Sequence, residues 1–196
     1  MHARETTMTD RDTEFRHPAF TRVLSSMHVA TCTVISLILL LFVSPCFAAQ
    51  EPEKLVILPF EIVDNTPVPG AEERHAKMLG EMVRNVSEQI EKAGIYHVAS
   101  QKQVDDTVAD AHLGTDIHTC NHCEIDMAKQ LGGDKVMVGW IYKMSLLILT
   151  LHIEVKDVAS ERTLISKAYD FRGDNEKAWR RAAQYMVRDL GKMIAH

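Results

Sequence analysis

Between Leu147 and Val155 every second residue is apolar (Leu147, Leu149, Leu151, Ile153, Val155), while Thr150, His152, Glu154 and Lys156 take the alternate positions. A period of two is the signature of an extended strand with one face on a core and the other at least partly wet. Residues 157–162 turn the chain and 163–171 return, which predicts an antiparallel pair. Residues 54–62 (KLVILPFEI) read differently, as a continuous apolar run rich in β-branched residues, expected where helices cover both faces of a strand.

Helical spacing fills the intervals. Met78, Leu79, Met82, Val83, Val86 and Ile90 share one stripe of a helix over 72–92 that closes at Gly94. A short strand over 95–99 precedes a helix over 100–111, with Ser100 as its cap and Val104 and Val108 on its inner side. Ile125, Met127, Ala128 and Leu131 mark a short helix stopped by Gly132-Gly133, and a strand resumes over 135–144. After Asp174 as cap, Trp179, Ala182, Ala183, Met186, Leu190 and Met193 recur at three, four or seven residues. The order is strand, helix, strand, two helices, three strands, helix. It predicts an α/β fold: a single domain over 49–196 with a mixed sheet of about five strands packed with helices.

The amino-terminal part has another purpose. Residues 34–43 (VISLILLLFV) are apolar and uncharged, too short to span a bilayer comfortably, and follow Arg11, Arg16 and Arg22. Ser44-Pro45 breaks the run, and small residues near Ala48 mark a cleavage site, so residues 1–48 are expected to be a leader and signal peptide. Met8 and Met27 are alternative starts. Pro45 stands where lipid attachment at Cys46 would need a small residue. The mature chain is thus expected in the periplasm, with no membrane span after cleavage.

Arg4, Arg11, Arg16 and Arg22 leave together with Glu5, Asp10, Asp12 and Glu14, so the net charge of −5 is unchanged. An acidic domain lacks the basic footprint that phosphate backbones require, which argues against nucleic acid as partner. Cys32 and Cys46 leave too, and the pair Cys120 and Cys123 enters an oxidising compartment.

That pair lies in HTCNHC, residues 118–123. One reading is a structural disulfide that anchors an otherwise loose loop. A second is a metal site, with His118, Cys120, His122 and Cys123 as ligands for Zn or Cu, although four ligands within six residues strain a tetrahedron. A third is thiol redox chemistry at a helix N-terminus, where the dipole favours thiolate; thioredoxin-like enzymes, however, mount this motif directly after a strand, and residues 111–119 here look nothing like one. Glu124 stands where a haem attachment motif would carry histidine.

Other chemistry is sparse. The sequence contains no GxSxG, no HExxH and no phosphate-cradling glycine loop. Asp105-Asp106 and Glu72-Glu73 are neighbours in sequence and so do not face each other on a helix. His152 is expected on the wetter strand face, making a hydrogen bond rather than acting as a base. Arg172, Trp179, Arg180, Arg181 and Tyr185 gather around a strand-to-helix corner, with Gly173 permitting the turn. Either Trp179 is core and the arginines are solvated, or the group forms a partner surface, which Lys143 and Ser145 at a strand end would join.

The segments ILPFE, AKQLGGDKVMVGWIYK and DVASERT, in this order of elements, resemble the N-terminal domain of the translocation protein TolB and the related domain of the curli secretion lipoprotein CsgG. More closely, Cys120-x-x-Cys123, Ala128, Leu131-Gly132, Gly139, Lys143-x-Ser145-x-Leu147-Ile148-Leu149, Asp157, Arg172-Gly173, Trp179-Arg180-Arg181 and Tyr185 resemble a proteobacterial family of secreted proteins of unknown function, DUF2380 and DUF3280. The resemblance covers about residues 54–193. It implies an envelope protein whose domain binds or assembles with another envelope protein, and it brings no catalytic residue with it. Members of that family look to be found near genes for periplasmic quinoprotein alcohol oxidation, which implies an accessory place in that process. Closer members read KVSNLIL and RGNTDESW where this chain has KMSLLIL and RGDNEKAW, so a polar residue at 146 or 178 is not a fixed requirement.

Overall fold

Pro59 decides the first departure from the expected strand order. In a computed structural model describing residues 52–111, 117–120 and 122–194, the apolar run divides into β1 (Lys54–Ile57) and β2 (Glu61–Asp64). Proline gives no ladder N–H, so pairing stops there and restarts. Both pieces run parallel to β4 (Lys135–Lys143), β1 beside Lys135–Met137 and β2 beside Trp140–Lys143. Between them the Phe60 ring lies over Gly139, where a Cβ would come within 2.5 Å of it. Glycine is what lets that ring enter the core.

Among the described residues the sheet is mixed and six-stranded, in the order β3 (His97–Val98), β1, β4, β5 (Ile148–Asp157) and β6 (Thr163–Arg172), with β2 alongside β4. The short β3 is parallel to β1. β5 and β6 continue antiparallel, as the alternation predicted. Leu149, Leu151, Ile153 and Val155 are fully buried, but Leu147 falls in the β4–β5 turn and is exposed. β6 is an edge strand.

Helices cover the two faces unequally. α1 (Glu72–Lys92) and α4 (Glu176–Ile194) pack side by side on one face. Leu55, Met82, Ile141, Leu151, Trp179 and Leu190 belong to the core between them and the sheet. α2 (Gln101–Asp110), a 3-10 turn (Ile117–Thr119) and α3 (Cys123–Gln130) cover only part of the other face, around Val56, Val104, Ile125, Ala128 and Val138. Leu55 and Val56 therefore point into different cores, which explains the uninterrupted apolar run of β1. α3 ends in a Schellman motif: Gly132 at φ 63° donates to the Lys129 carbonyl, and Gly133 to that of Ala128.

Of the two expected caps, Ser100 holds the N-cap position of α2 and Asp174 is replaced at α4. The Ser100 side chain makes no capping hydrogen bond. At α4 the cap is Asn175, whose Oδ1 accepts from the Ala178 N–H at 3.1 Å, because Asp174 is engaged elsewhere. The expected signal peptide, residues 1–48, lies outside the described residues. Among the described residues no helix is long and apolar enough to cross a membrane.

Candidate functional site

The cysteine segment is moored from two sides. Cys120 and Cys123 stand at disulfide-bonding distance, with Cα atoms 5.9 Å apart, and both pack against the smaller core. Upstream, Glu61 of β2 accepts from the N–H groups of Ile117 (2.6 Å) and His118 (3.1 Å), and from His118 Nδ1 (2.7 Å). Downstream, Cys123 opens α3 and His122 precedes it at φ 70°.

The four-residue ligand set does not assemble. His118 is turned to Glu61, and His122 is exposed with Nδ1 3.8 Å from Glu161. The donors that converge within 4.8 Å of one another are Cys120, Cys123 and Glu124. Glu124 is buried, accepts from Lys156 Nζ at 2.8 Å, and has its other carboxylate oxygen 3.4 Å from Cys120 Sγ. Sequence spacing could not reveal Glu124, since a helical residue one position past the motif points by chance of register. If the pair is a staple, Cys120→Ser with Cys123→Ser should cost about 2 kcal/mol, the loop entropy of so small a ring. Urea unfolding with and without reductant measures it, and unchanged stability would remove the staple.

The strand-to-helix corner divides the expected partner surface in two. Lys143 is fully buried and Trp179 is 2% exposed, so neither faces a partner. Ser145 is half-buried, its Oγ accepting from Leu147 and Ile148 N–H inside the turn. Arg172, Arg180, Arg181 and Tyr185 are exposed, Tyr185 at 55%. A groove of about 760 Å³ runs between β6 and α4, and its cations are Arg172, Lys177, Arg181 and Arg188, against Asp170. The Arg188 guanidinium lies 5.9 Å over the Tyr185 ring. Tyr169, at the groove's floor, donates to Asp189 at 3.0 Å; burial and that carboxylate hold its phenol well above the ordinary tyrosine range. Lys177 and Arg188 were legible as the same helix face as Arg181, at i−4 and i+7.

Beneath the corner lies a charged knot that ties four elements. Lys143 Nζ donates to both Asp64 carboxylate oxygens (2.9 and 2.8 Å) and to the Thr66 carbonyl (2.8 Å). His75 of α1 stands between Asp64, 3.9 Å from Nδ1, and Asp174, 2.9 Å from Nε2. Arg74 grips Asp174 through its carboxylate and its carbonyl, each at 3.0 Å. Burial pushes the Asp174 carboxyl up, but the hydrogen bonds from His75 and Arg74 outweigh it and hold it below the ordinary carboxylate value. The Trp179 indole stacks on His75 with centroids 5.9 Å apart.

On the partly open sheet face, Trp140 stacks with His118 (5.1 Å) and with its cross-strand partner His152 (4.9 Å, planes 5° apart). His152 thus makes a ring stack where a hydrogen bond was expected. Burial, aided by nearby His118 and opposed by Asp170, holds its imidazole below the ordinary value. The unfolded chain takes up this proton first as pH falls, so stability should decline below about pH 6.5, where free histidine titrates, and level off once the folded form also protonates. Urea midpoints between neutral and mildly acid pH would show it, and His152→Gln should flatten the decline. An unaltered slope in that variant would contradict it.

The fold is similar to that of lipoprotein GNA1162 from Neisseria meningitidis, at 16% identity over 74% of this chain and 98% of that one, with a TM-score of 0.51. Weaker likenesses are to the LpoB C-terminal domain from Escherichia coli (15% identity, 61% of this chain and 82% of that one, TM-score 0.45) and to TolB from Acinetobacter baumannii. The latter is 17% identical over 75% of this chain, spans 30% of that one, and has a TM-score of 0.44. No curated protein matches the sequence. The family profile DUF3280, described as "Protein of unknown function (DUF2380)", matches residues 53–190, and the chain belongs to that family.

Proposed function

We propose that this chain is a non-enzymatic binding or assembly module of the periplasm, delivered by a cleaved signal peptide over residues 1–48. It takes an acidic segment of another envelope protein on the edge formed by β6 and α4. The observation that carries this reading is the basic groove beside β6, which has no strand on its outer side among the described residues, with Arg172, Lys177, Arg181 and Arg188 exposed around Tyr185. Arginine and tyrosine supply planar, amphipathic contacts at low entropic cost, and an edge strand can add a partner's backbone. That one fold relative is a lipoprotein agrees with an envelope setting.

A photo-crosslinker at exposed Gln184 tests it in growing cells. The expected result is a discrete adduct that disappears with Arg172→Glu and Arg181→Glu; absence of an adduct, or one indifferent to charge reversal, argues against the groove.

The convergence of Cys120, Cys123 and Glu124 favours a second reading, a metal-handling or thiol redox protein; the family resemblance alone adds an accessory place in periplasmic quinoprotein alcohol oxidation. Reduced thiolates with Glu124 would give three ligands for Zn²⁺ or Cu⁺. Intact mass, taken without reductant and again after reduction and metal addition, tests it: one retained ion or reactive free thiols support this reading, and a permanent disulfide with no retained ion removes it.

A further inference from the structure

The turn joining β4 to β5 is unusually apolar for an exposed tip. Met144, Leu146, Leu147 and Ile148 are 55%, 53%, 69% and 49% exposed, four large apolar side chains within five residues. Single exposed apolar residues are ordinary, whereas a contiguous group marks a contact surface. Val68, 40% exposed, lies at the same end of the sheet, on the β2–α1 loop held there by Asn65 N–H to the Lys143 carbonyl and by Lys143 to the Thr66 carbonyl.

The turn's backbone is largely closed on itself. Met144 and Ser145 N–H donate to the Ile148 carbonyl, and Leu147 and Ile148 N–H to Ser145 Oγ. The Leu146 and Leu147 carbonyls accept from Asp174 and Gly173 N–H. Hydrocarbon offers no hydrogen bonds, so a segment entering it must satisfy its backbone internally, and this turn already does so for these groups. Next to it stand cations: Arg172 is paired in register with Ile148, and Lys177 and Arg181 follow along the groove.

We propose that this turn docks the domain on an anionic lipid bilayer, burying Leu146 and Leu147 at the acyl boundary while Arg172, Lys177 and Arg181 meet the headgroups. The net charge of −5 does not prevent this, because exposed charges farther than about 8 Å are screened at physiological salt and the local basic rim decides. The contact does not depend on a protein in the groove.

Flotation of the processed protein, as recovered from expressing cells, with vesicles of phosphatidylcholine plus phosphatidylglycerol tests it against phosphatidylcholine alone. The expected result is salt-sensitive partition onto the anionic vesicles, about tenfold or more weaker in Leu146→Ser with Leu147→Ser. Those changes leave every groove arginine in place, so a lost protein partner cannot mimic the effect. As a second reading of the same claim, Leu147→Trp emission should shift to the blue on anionic vesicles. No partition, partition equal in the double variant, or no shift would overturn the proposal, as would a protein that covers the turn while vesicles stay unbound.

Discussion

Lys143→Ala should cost about 3–5 kcal/mol of folding stability, the range seen when one partner of a buried ion pair is removed and the other charge is left behind. With a urea slope of about 2 kcal/mol per molar, the midpoint falls by about 1.5–2.5 M. The physical reason is that Lys143 is fully buried and gives three hydrogen bonds, two to Asp64 and one to the Thr66 carbonyl, which hold the β2–α1 loop against the end of β4. Lys143→Met with Asp64→Asn should recover most of the loss, because no charge then remains unpaired. A loss below about 1 kcal/mol for the single variant would mean that the knot is hydrated and that the expected surface role of Lys143 deserves restoring.

Trp179→Ala should cost about 3–5 kcal/mol as well, the usual penalty for emptying a large aromatic site in a core. The indole is 2% exposed, stacks on His75 and meets the Phe171 ring edge-on at 6.4 Å, so it joins α4 to both α1 and β6. Trp179→Phe should recover at least half. Were Trp179 a partner-facing residue, stability would be unchanged and only binding would fall, so the same urea experiment separates the two roles. Since Asp64 and His75 link Lys143 to Trp179, the two losses should not add: a coupling of about 0.5 kcal/mol or more is expected between sites that share one network.

Local pattern places Lys143 on a surface and leaves Trp179 with two readings, core or partner surface, whereas both are buried. Periodicity reported the elements well, because β5 alternates cleanly and α1 and α4 carry unbroken stripes. It placed Trp179 on the buried stripe too, while its flanking arginines suggested a surface; burial won because the indole faces α1 and the arginines flank it on the helix's outer side. Lys143 looked wet because a lysine at a strand end usually is. Its burial depends on Asp64, His75 and Asp174, which come from distant parts of the chain and share no local pattern. Glu61 and Glu124 escaped for the same reason, as their roles exist only after β2 and α3 are brought to the cysteine segment. Arg172, Arg181 and Tyr185, by contrast, come together along one groove as their spacing suggests, since neighbours around one corner stay neighbours in the fold.

Binding on the basic edge and a loop-holding role for the cysteine pair, both proposed above, make separable demands. Recovery of the crosslinked partner through Gln184 should therefore be compared in two variants at equal amounts of folded protein. The expected result is that Arg172→Glu with Arg181→Glu lowers recovery about tenfold or more, as loss of paired interface charges does, while Cys120→Ser with Cys123→Ser leaves it unchanged. Full recovery in the arginine variant, with loss in the cysteine variant, would contradict both.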